Sequence, residues 1–290
     1  MASESGERLG GVGETALGAA EMRAEESLRP DRLFADPYAA AFVAAAPPLF
    51  PDLPALSEDP ELAALKDAFG ADIVIRTRFY DEFLATACSA GCVQVVLLAA
   101  GLDTRAFRLD WPMGVRVFEL DLPEVLAFKN TVLEHERVIP RCARVAVGVD
   151  LREDWSAQLI AAGFDPNVRS AWIAEGLLPY LSNDQAVGLL TAIGGLSARD
   201  SQLSLEHDEF ANDATLAQAR SIPAMEQVTS MWEGGLTHDA AKWLRHHQWK
   251  VQIYDRSSLA KDYGRPMPGT ATAGLLTATR LGAEIDQLTP

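Results

Sequence analysis

Basic residues are scarce. The chain has 25 lysines and arginines against 41 aspartates and glutamates, a formal charge of −16 with a pI near 4.7. Nucleic acid and anionic membrane surfaces both demand basic patches, so neither is expected as a partner, and the acidity serves solubility. Cysteine is scarcer still. Cys88, Cys92 and Cys142 follow neither a metal-ligand spacing nor an even disulfide framework, which argues against a zinc site and for the reduced thiols of a cytoplasmic protein. No run approaches the ~20 apolar residues that a membrane helix needs, and MASESGERLGG lacks the basic start and apolar centre of a secretory signal. Core material, by contrast, is plentiful: 48% of the 290 residues are hydrophobic, enough for one large α/β domain or two smaller ones.

The stretch around which the rest is organised is VQVVLLAAGLDTRAFRLDWPMGVRVFELD, residues 93–121. Val95 to Ala100 form a continuous apolar run closed by Gly101, the pattern of a buried parallel strand entering a tight turn. A second run, Val115 to Leu120, ends in Asp121, twenty residues after Gly101. A Rossmann-type sheet uses about that spacing to set a turn glycine under a nucleotide and a carboxylate against its ribose. The second and third glycines of a dinucleotide turn are missing, and Asp103 stands where a helix N-terminus would receive phosphate. The ligand expected is therefore a nucleoside without phosphates, and S-adenosyl-L-methionine fits that description.

Residues 1–13, rich in Gly, Ser and Glu, read as disordered, with order beginning near Glu14. A helix follows with Leu17, Ala20 and Ala24 on one face, leaving Arg23 and Glu26 off that face or at its edge, either as solvated surface or as groups that close over a ligand. PPLFPDLPALSEDP carries five prolines in fourteen residues and reads as a surface connection. The next helix sets Arg76, Phe79, Tyr80, Phe83 and Ala87 on one stripe, so Arg76 needs a buried acceptor or a ligand carboxylate. Arg78, four residues before Glu82, reads as an exposed pair. Pro123 opens a helix. Strands are expected at 144–150 and 172–181 and over SQLSLEHDE, with WKVQIYDR and LLTATRLG as a closing antiparallel pair. Asp121, Asp150 and Glu175 would then meet at the carboxyl edge of the sheet. Residues 209–246 carry no strand signal and read as a helical cap broken at Pro223 and at Gly234 and Gly235.

Five strands alternating with helices and then two closing strands are the order of a class I S-adenosylmethionine-dependent methyltransferase: a Rossmann-like α/β sheet of seven strands with its last pair antiparallel. GLDTRAFRL at 101–109, ELDLPEV at 119–125, VDLRED at 149–154 and AEGLLPYL at 174–181 together resemble the leucine carboxyl methyltransferase family, and TALGAAEMRAEESLRPDRLFADPYA at 15–39 is similar to its bacterial branch. The resemblance implies an N-terminal helical segment over 14–90 and a cofactor-binding domain over 91–290. It further implies that Gly101 packs under the methionine part of S-adenosyl-L-methionine, that Asp121 binds ribose, that Asp150 and Leu151 receive adenine, and that Glu175 lies beside the cofactor. It places an arginine before the first strand on the cofactor carboxylate; Arg76 is preferred over Arg78 for its place on the buried stripe, and Arg23 could contribute.

The reaction expected is methyl transfer to an oxygen of a small-molecule acceptor. A carboxylate acceptor would be ionised already and need no catalytic base, whereas a phenol or alcohol would want one, with His207, Glu206, His238 and Tyr180 as the available side chains. A nicotinamide dehydrogenase is opposed by the missing glycines. A protein that only senses S-adenosyl-L-methionine is the other alternative, opposed by the full motif set and the expected cap. The sequence sets neither the acceptor nor the oligomeric state.

Overall fold

The computed structural model describes residues 11–46, 60–207, 229–265 and 274–282. Seven strands form one sheet in the order β3-β2-β1-β4-β5-β7-β6: β1 (Gln94–Leu98), β2 (Arg116–Asp121), β3 (Ala143–Gly148), β4 (Ser170–Ala174), β5 (Gln202–His207), β6 (Trp249–Asp255) and β7 (Gly274–Arg280). The first five are parallel. β7 inserts between β5 and β6 and runs antiparallel to both. All five β1 residues are buried, and their alternation serves two cores. Val96 and Leu98 join one apolar cluster, with Trp172, Leu189 and Leu244; Val95 and Leu97 join the other, with Leu17, Phe42, Tyr80 and Phe83.

The second of these cores decides the role of the N-terminal third. Helices α1 (Gly11–Ser27), α2 (Ala39–Ala45) and α3 (Pro60–Ser89) bury Leu17, Ala20, Ala39, Phe42, Phe79 and Ala87 against that sheet face, so they form one layer of the same body as the sheet. α1 begins by Gly11, three residues before the order expected at Glu14. Residues 1–10, the proline-rich segment at 47–59 and the cap positions 209–228 lie outside the described residues.

On the opposite face lie α6 (Ser156–Ala161), α7 (Asn183–Gly195) and α8 (Ala240–His246); α4 (Arg105–Arg108) follows the first turn, α5 (Pro123–His135) follows β2 and α9 (Arg256–Asp262) follows β6. Their starts follow local chemistry. Pro123 occupies the first turn of α5. Ser182 and Gln185 form a reciprocal capping box on α7, and Asp239 caps α8 through the Lys242 amide. α8 is the end of the segment expected as a cap, but Ala240, Ala241 and Leu244 belong to the main core: here the chain covers the sheet. Among the described residues no helix is long and apolar enough to cross a membrane.

Candidate cofactor site

Strand order reverses beside β1, because β1 lies between β2 and β4, and the crevice of such a sheet opens over the carboxyl ends of those strands. β1 runs into a turn in which Ala99 and Gly101 hold φ of 50° and 45°, conformations that suit glycine and strain alanine. A Cβ on Gly101 would also come within 3.3 Å of the Ala16 Cβ of α1, so the N-terminal helix passes directly over the turn. Asp121 clamps it. Its two carboxylate oxygens accept from the Gly101 amide at 2.6 Å and the Leu122 amide at 2.7 Å. Burial pushes this carboxyl up, and the two amides offset part of that. Each oxygen keeps a second lone pair for a ligand hydroxyl.

Glu175 follows β4 directly and is held from both sides: Arg76 Nε on one oxygen at 3.0 Å, Arg105 Nη1 on the other at 2.8 Å. Burial alone would raise the Glu175 carboxyl, but Arg105 and Arg76 outweigh it and hold the group below its ordinary value. Arg76 also reaches Asp72 at 3.4 Å and Glu206 at 3.6 Å. Glu206 in addition accepts from the Gly176 amide at 2.9 Å; burial pushes its carboxyl up, and Arg76 only partly opposes this. The stripe read on α3 is real: Phe79, Tyr80, Phe83 and Ala87 are buried, and Arg76 reaches the sheet edge at their head.

Arg78 pairs with Glu82 at 2.7 Å on the surface and donates to the Leu33 carbonyl. Arg23 and Glu26, read as surface groups or as groups that close over a ligand, are not solvated surface. Arg23 is bound to Asp36 at 2.9 Å and to the Leu102 carbonyl at 2.8 Å, tying α1 to the glycine turn. Glu26 is 3% exposed and accepts from the Leu33 amide and Arg265.

Among the described residues the three expected strand-end acids have separate partners: Asp121 holds two amides, Asp150 an arginine of its own loop and Glu175 two distant arginines. Asp150 stands two residues beyond β3 with its carboxylate bound to Arg152 at 2.5 Å, while Leu151 beside it is buried. Among the described residues, the acids that share partners with Glu175 are Glu206 and Asp72 through Arg76, and Asp81 and Asp103 through Arg105. His207 neighbours Glu206 on β5, where successive side chains point to opposite faces, so it does not share the face of Glu206 and Arg76. His238 is exposed beside Thr237, and Tyr180 lies half-buried in the short 3-10 turn Leu178–Tyr180.

Arg105 went unread in the sequence. Only 3% exposed, its side chain holds Asp81 at 2.7 Å, Asp103 and Glu175 together, and Arg108 binds the same Asp81 at 2.6 Å. Asp72 could have been found, since it precedes Arg76 by four helical positions. Among the described residues Asp72, Asp81, Asp103, Glu175 and Glu206 face Arg76, Arg105, Arg108 and Arg256 in this network, one negative charge in excess. An excess acid beside an arginine-rich edge fits a ligand with two cationic groups and one carboxylate, as S-adenosyl-L-methionine has, and the lone glycine turn fits a nucleoside without phosphates.

The sequence pattern of the family described as leucine carboxyl methyltransferase matches residues 16–194. A Frankia alni protein, described by inference as an S-adenosyl-L-methionine-dependent methyltransferase, is 46% identical over 280 residues, covering 96% of this chain and 98% of its own. A Parafrankia sp. protein with the same description is 46% identical over 258 residues, 89% of this chain and 83% of its own. Among solved structures, a Thermobifida fusca YX protein described by inference as a methyltransferase superposes with a TM-score of 0.54 at 16% identity, covering 87% of this chain and 95% of that one, a likeness of fold. With a family match over residues 16–194 and relatives of this identity along nearly its whole length, the chain belongs to the leucine carboxyl methyltransferase family.

Proposed function

We propose that this chain, an S-adenosyl-L-methionine-dependent methyltransferase, transfers a methyl group to a carboxylate oxygen of a small-molecule acceptor and so forms a methyl ester. The cofactor supplies a methyl group made electrophilic by its sulfonium. Gly101 leaves room beneath the methionine part, Asp121 accepts from the ribose hydroxyls, and the loop at Asp150 and Leu151 receives adenine. Arg76 binds the methionine carboxylate, and Glu175, Glu206 and Asp72 offset its charge. The observation that supports the carboxylate reading is the match of residues 16–194 to a family described as acting on a carboxyl group. An ionised acceptor needs no base. Holding it in line and excluding water favours reaction between an anion and a cation, whose charges cancel as the bond forms.

The second reading, O-methylation of a phenol or alcohol, is favoured by one observation: burial raises the Glu206 carboxyl, and a raised carboxyl is a better base. A screen of small carboxylic acids and phenols, with products identified by mass and a pH profile of the acceptor turned over, separates the two. A carboxylate is ionised across about pH 6–9, so ester formation is expected to be flat there and to survive His207→Ala at nearly the wild-type rate. A methyl ether whose rate climbs as a base loses its proton would sink the ester reading.

The assignment of Arg76 has its own test, by calorimetry with S-adenosylhomocysteine. Arg76→Ala is expected to weaken binding by about 10–100-fold, the loss of a charge-assisted pair at a partly buried site. Arg78→Ala is expected to change it less than about twofold, since its guanidinium is engaged with Glu82 on the surface. A larger effect at Arg78 would mean the wrong arginine has been chosen.

A further inference from the structure

Tyr80 is fully buried, yet among the described residues its hydroxyl has no hydrogen-bond partner. Its ring is well explained. It packs edge-on against Phe79 at 5.7 Å, and the Arg105 guanidinium lies 5.7 Å from its centroid. A phenylalanine would make both contacts without the cost of an unpaired buried hydroxyl. The oxygen therefore calls for a partner that the described residues do not supply.

Its surroundings restrict what that partner is. Tyr80 follows Arg76 by four positions on α3, one helical turn along the same face, and Arg105 against its ring also holds Glu175. Burial, and after it the Glu206 and Glu175 carboxylates, push the phenol well above its ordinary value, so at neutral pH it offers a proton. A cationic ligand group would find acceptors in excess here, in Glu175, Glu206 and Asp72. Donors are what is scarce, because the Arg76 guanidinium is already shared among those three acids. A carboxylate arriving at Arg76 needs a second donor, and the phenol is the one close by.

We propose that the Tyr80 hydroxyl donates a hydrogen bond to the methionine carboxylate of the bound cofactor, completing with Arg76 a two-donor carboxylate clamp. This rests on the reading of Arg76 given above and goes beyond it by naming the second donor. Once the carboxylate is held, the buried hydroxyl is satisfied, so binding removes a strain present in the ligand-free protein.

The test titrates the full chain, without acceptor, with S-adenosylhomocysteine and with 5′-methylthioadenosine, which lacks the amino-acid part. Tyr80→Phe is expected to weaken S-adenosylhomocysteine by about tenfold, the scale of one hydrogen bond to a charged group, and to leave 5′-methylthioadenosine within about twofold. The ligand-free melting temperature of the variant is expected to be equal to or above wild type, because an unpaired polar atom has been removed. Equal affinity of the variant and wild type for S-adenosylhomocysteine overturns the clamp, as does an equal loss for both ligands or a lowered melting temperature. Weakening by Arg76→Ala with none by Tyr80→Phe overturns the tyrosine assignment alone, whereas a wild-type chain that binds neither ligand overturns the reading of the site itself.

Discussion

Arg105→Ala is expected to lower stability by about 3–5 kcal/mol, the cost of leaving buried carboxylates without their cation, and so to lower Tm by on the order of 10 °C. The side chain bridges three acids from three elements: Asp81 on α3, Asp103 in the glycine turn and Glu175 after β4. Burial raises the Asp103 and Glu175 carboxyls, but Arg105 first, followed by Lys129 for Asp103 and Arg76 for Glu175, outweighs it and holds both below their ordinary values. A depressed carboxyl contributes stability that is complete above its unfolded value, about 3.9 for Asp and 4.3 for Glu, and lost as pH falls through the folded value. Without Arg105 the sign reverses. Burial then dominates and raises both groups, so the folded variant gains protons before the unfolded chain does. The deficit of Arg105→Ala is therefore expected to be largest at neutral pH and to shrink towards pH 4. Thermal melts of both proteins at pH 7, 5.5 and 4 check this. Arg78→Ala serves as control, with an effect within about 0.5 kcal/mol for a side chain left largely in solvent. A deficit constant across that range would show that Arg105 acts by packing and not by charge.

Asp121→Ala is expected to combine two losses. It removes the acceptor proposed for the ribose hydroxyls, which should weaken S-adenosylhomocysteine by about 1–3 kcal/mol, roughly 5–150-fold. It also strips the Gly101 and Leu122 amides of the carboxylate oxygens that lie 2.6 and 2.7 Å from them, so the turn loosens and Tm falls. Sequence reasoning anticipates only the first effect, because the two amide bonds do not show in the spacing. Asp121→Asn separates them: its amide oxygen can serve only part of what two carboxylate oxygens do, so both affinity and Tm are expected to lie between wild type and Asp121→Ala. Calorimetry and melting of the three proteins decide the matter. Unchanged affinity in a folded Asp121→Ala would reduce the acid to a staple between the ends of β1 and β2.

What the sequence alone determined is whatever rests on local pattern. The apolar run from Val95, the turn at Gly101, the acid at Asp121, the helix start at Pro123 and the stripe from Phe79 to Ala87 each follow from spacing within one element, and the structure has them in those places. Periodicity tells which side of its own element a residue faces, and that suffices for cores. It does not tell which distant group stands opposite. Arg76 and Glu175 are 99 positions apart, and Arg105 meets Asp81 and Glu175 only because α3 lies against the end of β4 and the glycine turn. Asp150 is expected at the crevice from its place after a strand, but spacing does not show that it stands two residues past β3 and pairs with Arg152. Glu206 meets Arg76 beside Glu175 because the strand order sets β5 beside β4. The insertion of β7 between β5 and β6, and the burial of Arg23 and Glu26 under the glycine turn and Arg265, were likewise settled only by packing. A buried charge is tolerable only opposite its partner, and the tertiary structure alone brings the two together.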